Sequence, residues 1–170
     1  MSIEFSLDKV RQRPDLIIGV KVAHFSGPGW EPLDRAVEVA KNSKTFVMVD
    51  QNPISSRPMD QMILEHMEPR DVVTHCYGSG KTMIDFTDKV HPYFFEARNR
   101  GVKFDIGHGA GSFSWRVAQS AIDQGFLPDT ISTDLHSSSY LKNYATMPET
   151  MSKLLLCGIP IQDVFKMSTI

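Results

Sequence analysis

This sequence predicts an α/β fold built on a parallel sheet, and three observations carry that expectation. Five short runs rich in β-branched and apolar residues recur along the chain, at spacings of roughly 25 to 30 residues. Amphipathic segments of helical period lie between them. Each run ends at or just before an ionisable residue: Lys21, Asp50, His75, His108 and Asp134. Strand, helix and strand in alternation make a parallel sheet, which gathers those five residues on one face, at the carboxyl ends of the strands.

In chain order, Ser6 to Arg13 has Leu7 and Val10 at helical spacing and is broken by Pro14-Asp15, so it reads as the end of a helix in a chain that begins in mid-fold. Leu16 to Val22 is a continuous apolar run with a lysine near its end, as in a strand covered on both faces. After Gly27-Pro28-Gly29, Pro32 opens a helix with Leu33, Ala36, Val37 and Ala40 on one stripe. Thr45 to Asp50 is the second strand. Pro58 to Met67 is a helix whose inner stripe is Met59, Met62, Ile63 and His66. Asp71 to His75 is the third strand, followed by a long loop from Cys76 to Val90 and a helix from Tyr93 to Asn99 that Gly101 stops. Val102 to Ile106 is the fourth strand, with His108 between two glycines just beyond it. Ser112 or Ser114 caps a helix running to Gln124, Gly125 ends it, and Thr130 to Thr133 is the fifth strand. Ser137 to Tyr140 reads as a polar loop over the strand ends, and two helices follow, about Met147 to Cys157 and from Ile161 onward.

Composition narrows the function classes. At 170 residues, 41% hydrophobic and 22% charged, the chain has an ordinary globular balance, enough for one core and a single domain. No apolar run approaches the ~20 residues of a membrane span, and the N-terminus lacks the build of a signal peptide, so a cytoplasmic location is the expectation. Cys76 and Cys157 form no CxxC pair and argue for neither a disulfide framework nor a thiol-held metal. A net charge of -2 with no basic block gives no electrostatic reason for nucleic acid or membrane-surface binding. The expected partners are small molecules or protein.

Any one of the five strand-end residues has an ordinary explanation as a solvated lysine, a turn histidine or a capping aspartate. Five together point to a polar site, and carboxylate and imidazole are the donors that zinc and similar cations take. Gly78-Ser79-Gly80-Lys81-Thr82 ends like a phosphate loop, but the position five before Gly80 is His75 where that pattern needs glycine, so a glycine-hinged lid is the better reading. Phe113, Trp115 and Phe126 suit the core or a ligand pocket, and the methionines suit the core. His66 and His91 carry no functional weight.

Four blocks in series, Gly101-Val102-Lys103-Phe104-Asp105-Ile106-Gly107-His108-Gly109, Ser112-Phe113, Leu127 to His136 and Met151-Ser152-Lys153, resemble the C-terminal half of metal-dependent amidohydrolases. Within that superfamily the resemblance is to the amidohydrolase/deacetylase branch, of dihydroorotase-like and D-aminoacylase-like enzymes, and it spans nearly the whole chain. It implies a (β/α)8 barrel with one or two divalent metal ions, zinc in type, at the strand ends, of which this chain holds about five βα units, strands four to eight. By that resemblance Lys21 is similar to the lysine carboxylated on its amine that bridges two metals, and His75 to a histidine ligand. Asp134 is similar to the acid that binds metal and shuttles the proton, while His108 and His136 lie where relatives contact substrate or support the ligands. Asp50 stands where many members have a metal-binding histidine. No His-x-His occurs in the sequence, so the first barrel strand's ligand pair, the first three βα units and the flanking β-domain fall outside it.

The function implied is hydrolysis of an amide or cyclic amide C–N bond by metal-activated water, with Asp134 as proton shuttle. A second expectation, from a different class, is a non-catalytic module that self-associates, assembles with a partner chain carrying the missing strands, or binds a ligand without turnover. A nucleotide-binding domain through Gly78 to Thr82 is the third and weakest.

Overall fold

The computed structural model describes residues 2–50, 53–80 and 83–169. Its sheet has four parallel strands, β1 (Gly19–Val22), β2 (Phe46–Asp50), β3 (Val72–Thr74) and β4 (Lys103–Phe104), ordered in space as in sequence. Each β-to-β connection carries a helix, because parallel neighbours need a crossover that also covers the sheet's apolar face. The helices are α1 (Ile3–Gln12), α2 (Glu31–Ser43), α3 (Met59–Gln61), α4 (Pro92–Asn99), α5 (Trp115–Asp123), α6 (Ser137–Asn143), α7 (Met147–Leu156) and α8 (Ile161–Thr169), with a π-helical turn over Met62–His66 prolonging α3.

Register sets which side chains share a face. In β2 burial alternates, with Val47 and Val49 buried and Phe46, Met48 and Asp50 on the opposite, half-covered face. Lys21 pairs with Met48 and Asp50 with Thr74, so all four lie on that second face. Val47, Val49 and Val73 turn the other way, into a core closed by Leu33, Ala36 and Ala40 of α2 and by Met59, Met62 and Ile63. Further along, Phe94, Phe104 and Phe126 pack at ring separations of 5.0–5.9 Å and anchor α4 over β4.

The local signals act largely where the sequence puts them. Pro32 sits in the first turn of α2, and of the two candidate serines it is Ser114 that caps α5; α1 differs, starting at its own cap, Ser2, ahead of the Ser6 to Arg13 that the sequence reads as a helix end. Three further expectations are corrected. The segment Pro58 to Met67 is a short α-helix passing into a π turn; its fourth inner residue, His66, stacks on Trp30 at 4.3 Å and bonds Asp34. The fifth run, Thr130 to Thr133, makes a parallel bridge between Asp105 and Thr130 and not a full strand. It still lies along β4, because Ile106, His108 and Gly109 donate their amides to Thr130, Ser132 and Thr133 carbonyls. Ser137 to Tyr140 is the start of α6, since Ser139 Oγ accepts from the His136 amide and supplies the N-terminal cap that a loop would not need. Among the described residues no helix is long and apolar enough to cross a membrane.

Candidate active site at the strand ends

The parallel strands deliver their last residues to a single rim, and three of those residues turn sharply there. His24, two residues past β1, His75, directly after β3, and Asp134, after the fifth run, have φ of 55°, 61° and 45°. A side chain in this left-handed region costs on the order of 1 kcal/mol or more, and such strain concentrates where surrounding structure must aim a group. Glycine makes the turn at His75 sterically open. At Gly107 (φ 46°) a Cβ would stand 2.2 Å from Thr74 Oγ1 and 2.7 Å from His75 Nδ1. Its absence lets His75 Nδ1 reach the Gly107 carbonyl.

These turns surround a pocket of about 510 Å³ lined by His24, Asp50, His75, Asp134 and His136, with Gly78 to Gly80 and Ala110 to Ser112 as its loop walls. His75 Nε2 lies 3.5 Å from Asp50 Oδ1, and these side chains retain only 10% and 14% of their exposure. His24 Nε2 approaches the other Asp50 oxygen at 3.9 Å, but its side chain is 91% exposed, so it adds little to the pair.

Burial works against charge on both members of the pair, and their contacts prevail. For His75, the bond to Asp50, the Gly107 carbonyl and the nearby Asp134 charge hold the imidazole above its ordinary value. For Asp50, the His75 hydrogen bond and charge, with His24 and Lys21 beyond, hold the carboxyl below its ordinary value. The Gly107 carbonyl can only accept, so His75 Nδ1 carries a hydrogen, while Nε2 faces the acid and donates to it when the ring is protonated. His136 repeats the arrangement, with Nδ1 2.7 Å from the Asp134 carbonyl.

Beneath this rim Asp105 ties the strands together. It is 1% exposed and accepts from Thr74 Oγ1 at 2.7 Å, Thr130 Oγ1 at 2.7 Å and Ser132 Oγ at 2.6 Å. One carboxylate therefore fixes the residue before His75 and the residue two before Asp134.

Of the residues singled out from the sequence, Asp50, His75, Asp134 and His136 come together in this pocket. Lys21 lines an adjoining concavity of about 460 Å³ that shares His24 with the first, and its charge reaches Asp50 without its side chain lining the same pocket. His108 does not line the pocket: it is buried behind it, with Nε2 2.7 Å from Lys153 Nζ. His24 also obeys the strand-end rule, but in the sequence Lys21 already fills that role for the first strand. The phosphate-loop reading rests on Lys81 and Thr82, which lie outside the described residues.

The donor chemistry suits a divalent cation. With the Nδ1 hydrogen of His75 held by a carbonyl, Nε2 is the nitrogen that, once deprotonated, would bind a metal, and two carboxylates line the same pocket. Among the described residues, however, no three His, Cys, Asp or Glu side chains are spaced to hold an ion by themselves.

No protein-family model matches the chain. A deacetylase of Brucella anthropi is 36% identical over 160 residues, covering 90% of this chain and 39% of that protein. A deacetylase of Agrobacterium fabrum is 33% identical over 177 residues, covering 98% of this chain and 42% of that protein. In three dimensions, 99% of the chain superimposes on a crystal structure of a dihydroorotase with a TM-score of 0.84 and 34% identity. This chain belongs to the amidohydrolase superfamily. A crystal structure of an adenine deaminase, 28% identical, matches it with a TM-score of 0.87. The chain spans 45% and 47% of those two structures, so as an amidohydrolase-superfamily chain it is a partial barrel.

Proposed function

We propose that this chain is the C-terminal part of a metal-dependent hydrolase of an amide or cyclic amide C–N bond, of the deacetylase type. The convergence of Asp50, His75 and Asp134 in one pocket at the carboxyl ends of parallel strands carries this reading, and the names of its relatives support it. His75, Asp50 and Asp134, with a carboxylated Lys21, are the donors this chain would contribute to one or two divalent cations such as zinc, alongside further ligands, since no three described His, Cys, Asp or Glu side chains are spaced to hold an ion alone. When bound, such a cation lowers the pKa of water and polarises a carbonyl.

The chain's own residues supply the rest. Asp134 takes a proton from the attacking water as its oxygen bonds the carbonyl carbon, and returns it to the leaving nitrogen as the C–N bond breaks. The Gly107 carbonyl and Asp50 hold the His75 ring in one orientation. His136, beside Asp134 on the rim, is placed to hydrogen-bond the substrate. The substrate is a small-molecule amide, in keeping with a pocket of about 510 Å³.

The test is turnover of N-acetylated and cyclic amides in the presence of zinc, by the wild type and by Asp134→Asn. The variant should lose turnover while keeping its circular dichroism and unfolding midpoint; a variant that still hydrolyses removes Asp134 from this role.

The open edge of β1 favours a second reading. Leu16 and Ile18 just before it are 64% and 68% exposed, and among the described residues β1 pairs with β2 alone. The chain would then act as a module completed by a second copy or by a chain bearing further strands. Size-exclusion chromatography with metal analysis separates the readings: a metal-free associated species inactive on every amide supports the module.

A further inference from the structure

We propose that Lys153 is a positioning residue that works through His108: it fixes that ring's tautomer and so clamps the Gly107–Ser112 turn against Asp134. The proposal rests on the hydrolase reading only for the importance it gives to Asp134.

His108 is 4% exposed, and each ring nitrogen has one partner of fixed hydrogen-bonding sense. Nδ1 lies 2.9 Å from the Gly109 carbonyl, which can only accept. Nδ1 must therefore carry the hydrogen. Nε2 lies 2.7 Å from Lys153 Nζ, which as an ammonium can only donate, so Nε2 must present its lone pair. The Nδ1–H form is thereby selected from both sides. The ring is also stacked on Phe113, centroids 4.9 Å apart and planes 7° apart, so it cannot turn without breaking that contact. Burial, with the Lys153 charge assisting, holds His108 below the ordinary imidazole value; Glu149, also on α7, acts in the opposite sense.

The clamp leads to Asp134 by two routes. The first is through the turn. The Gly109 carbonyl is held by His108, its amide donates to the Thr133 carbonyl at 2.9 Å, and its Cα faces the acid so closely that a Cβ there would stand 3.0 Å from Asp134 Oδ2. The second runs through α6. Lys153 Nζ also donates to the Tyr144 carbonyl at 2.9 Å, at the C-terminal end of the helix that His136 caps two residues after Asp134. One ammonium on α7 thus ties down backbone on both sides of the proton-shuttling residue. Lys153 does not line the pocket, so its action is by placement alone.

The test is nitrogen-15 NMR of the His108 ring in the full 170-residue chain at neutral pH, read together with the Gly109 and Asp134 amides. The wild type should show Nδ1 protonated and Nε2 bare. Lys153→Met, which removes the donor at nearly constant length, should release Nε2 to take a proton, raise the pH at which the ring titrates, and shift both amides; Lys153→Arg should restore them. A wild-type ring protonated on Nε2 overturns the proposal without recourse to any variant, so it stands or falls even if Lys153→Met does not fold. A Lys153→Met spectrum unchanged at His108, Gly109 and Asp134 overturns it as well. In a preparation that turns over an amide, Lys153→Met should lower kcat on the order of 10- to 100-fold with KM little altered, and Lys153→Arg should recover most of it. A wild type with the stated tautomer but no turnover upholds the clamp and counts against the hydrolase reading.

Discussion

Replacing Asp105 by alanine should be among the most damaging single changes available to this chain. The carboxylate is 1% exposed and accepts three hydroxyl hydrogen bonds of 2.6–2.7 Å, from Thr74, Thr130 and Ser132. Hydrogen bonds to a carboxylate are worth about 1.5–3 kcal/mol each, which would sum to about 4–9 kcal/mol. The sum overstates the loss, because the released hydroxyls can rotate toward backbone carbonyls and the variant no longer has to bury an acid. A destabilisation of about 3–5 kcal/mol remains, in the range found when a buried charged group's partners are left unmatched. Asp105→Asn, which keeps one acceptor oxygen and forces one hydroxyl to turn round, should cost about 1–2 kcal/mol. Urea unfolding followed by circular dichroism reads both, and in a chain of 170 residues each kcal/mol lost lowers Tm by about 2–4 °C. The damage should also be local. His75 follows Thr74 directly and Asp134 lies two residues past Ser132, so their amide resonances should shift in the folded Asn variant more than those of α1 or α2. An alanine variant within about 1 kcal/mol of wild type would refute the claim that Asp105 braces the site.

Three further outcomes follow from the same geometry. Gly107→Ala should destabilise by at least about 2–3 kcal/mol and displace the His75 ring, because the added Cβ meets Thr74 Oγ1 at 2.2 Å; an unaltered unfolding midpoint would contradict this. The Asp50–His75 pair should make stability depend on pH in a defined window. Asp50's contribution is present above its unfolded value of 3.8 and lost as pH falls through its lowered native value, whereas His75's is present below its unfolded value of 6.5 and lost as pH rises through its raised native value. The gap in urea midpoint between wild type and Asp50→Asn should therefore be widest between those two values and shrink on either side; a pH-independent gap would count against the pair. Arg57→Met should loosen the segment carrying His24, since the buried Arg57 guanidinium bonds the Phe25 and Gly27 carbonyls at 2.8 and 3.0 Å. Faster amide exchange over residues 24 to 30 with little change in β3 is the expected signature.

Periodicity alone exposed the strand–helix alternation, because covered parallel strands are nearly all apolar and their crossover helices carry an apolar stripe at helical spacing. Helix starts were legible for the same local reason, as at Pro32 and Ser114. Alternation also places Asp50, His75 and Asp134 at one rim, since parallel strands have all their carboxyl ends on one side.

Chemistry at those ends was less legible, because an acid's role depends on what stands across from it. Asp71 and Asp105 are aspartates like Asp50 and Asp134, yet both are braces: Asp71 accepts the Val47 and Glu68 amides at 2.8 and 2.9 Å, and Asp105 accepts three hydroxyls. These partners lie 3 to 31 residues away in sequence, and no local pattern announces them. Nor does spacing reveal that His108 faces Lys153, 45 residues distant, and not the pocket, or that Lys21 opens on the neighbouring concavity.

The parallel α/β class, the order of its units and the rim where its polar residues gather are legible in the chain alone, because they follow from periods of two and 3.6 residues and from chain direction. Which of those residues share a pocket, which ring nitrogen of His108 bears the hydrogen, and how far the fifth run pairs with the sheet are settled on folding. These depend on contacts between distant segments, where a turn of φ at one residue, such as Asp134 at 45°, redirects a side chain that the local sequence leaves free.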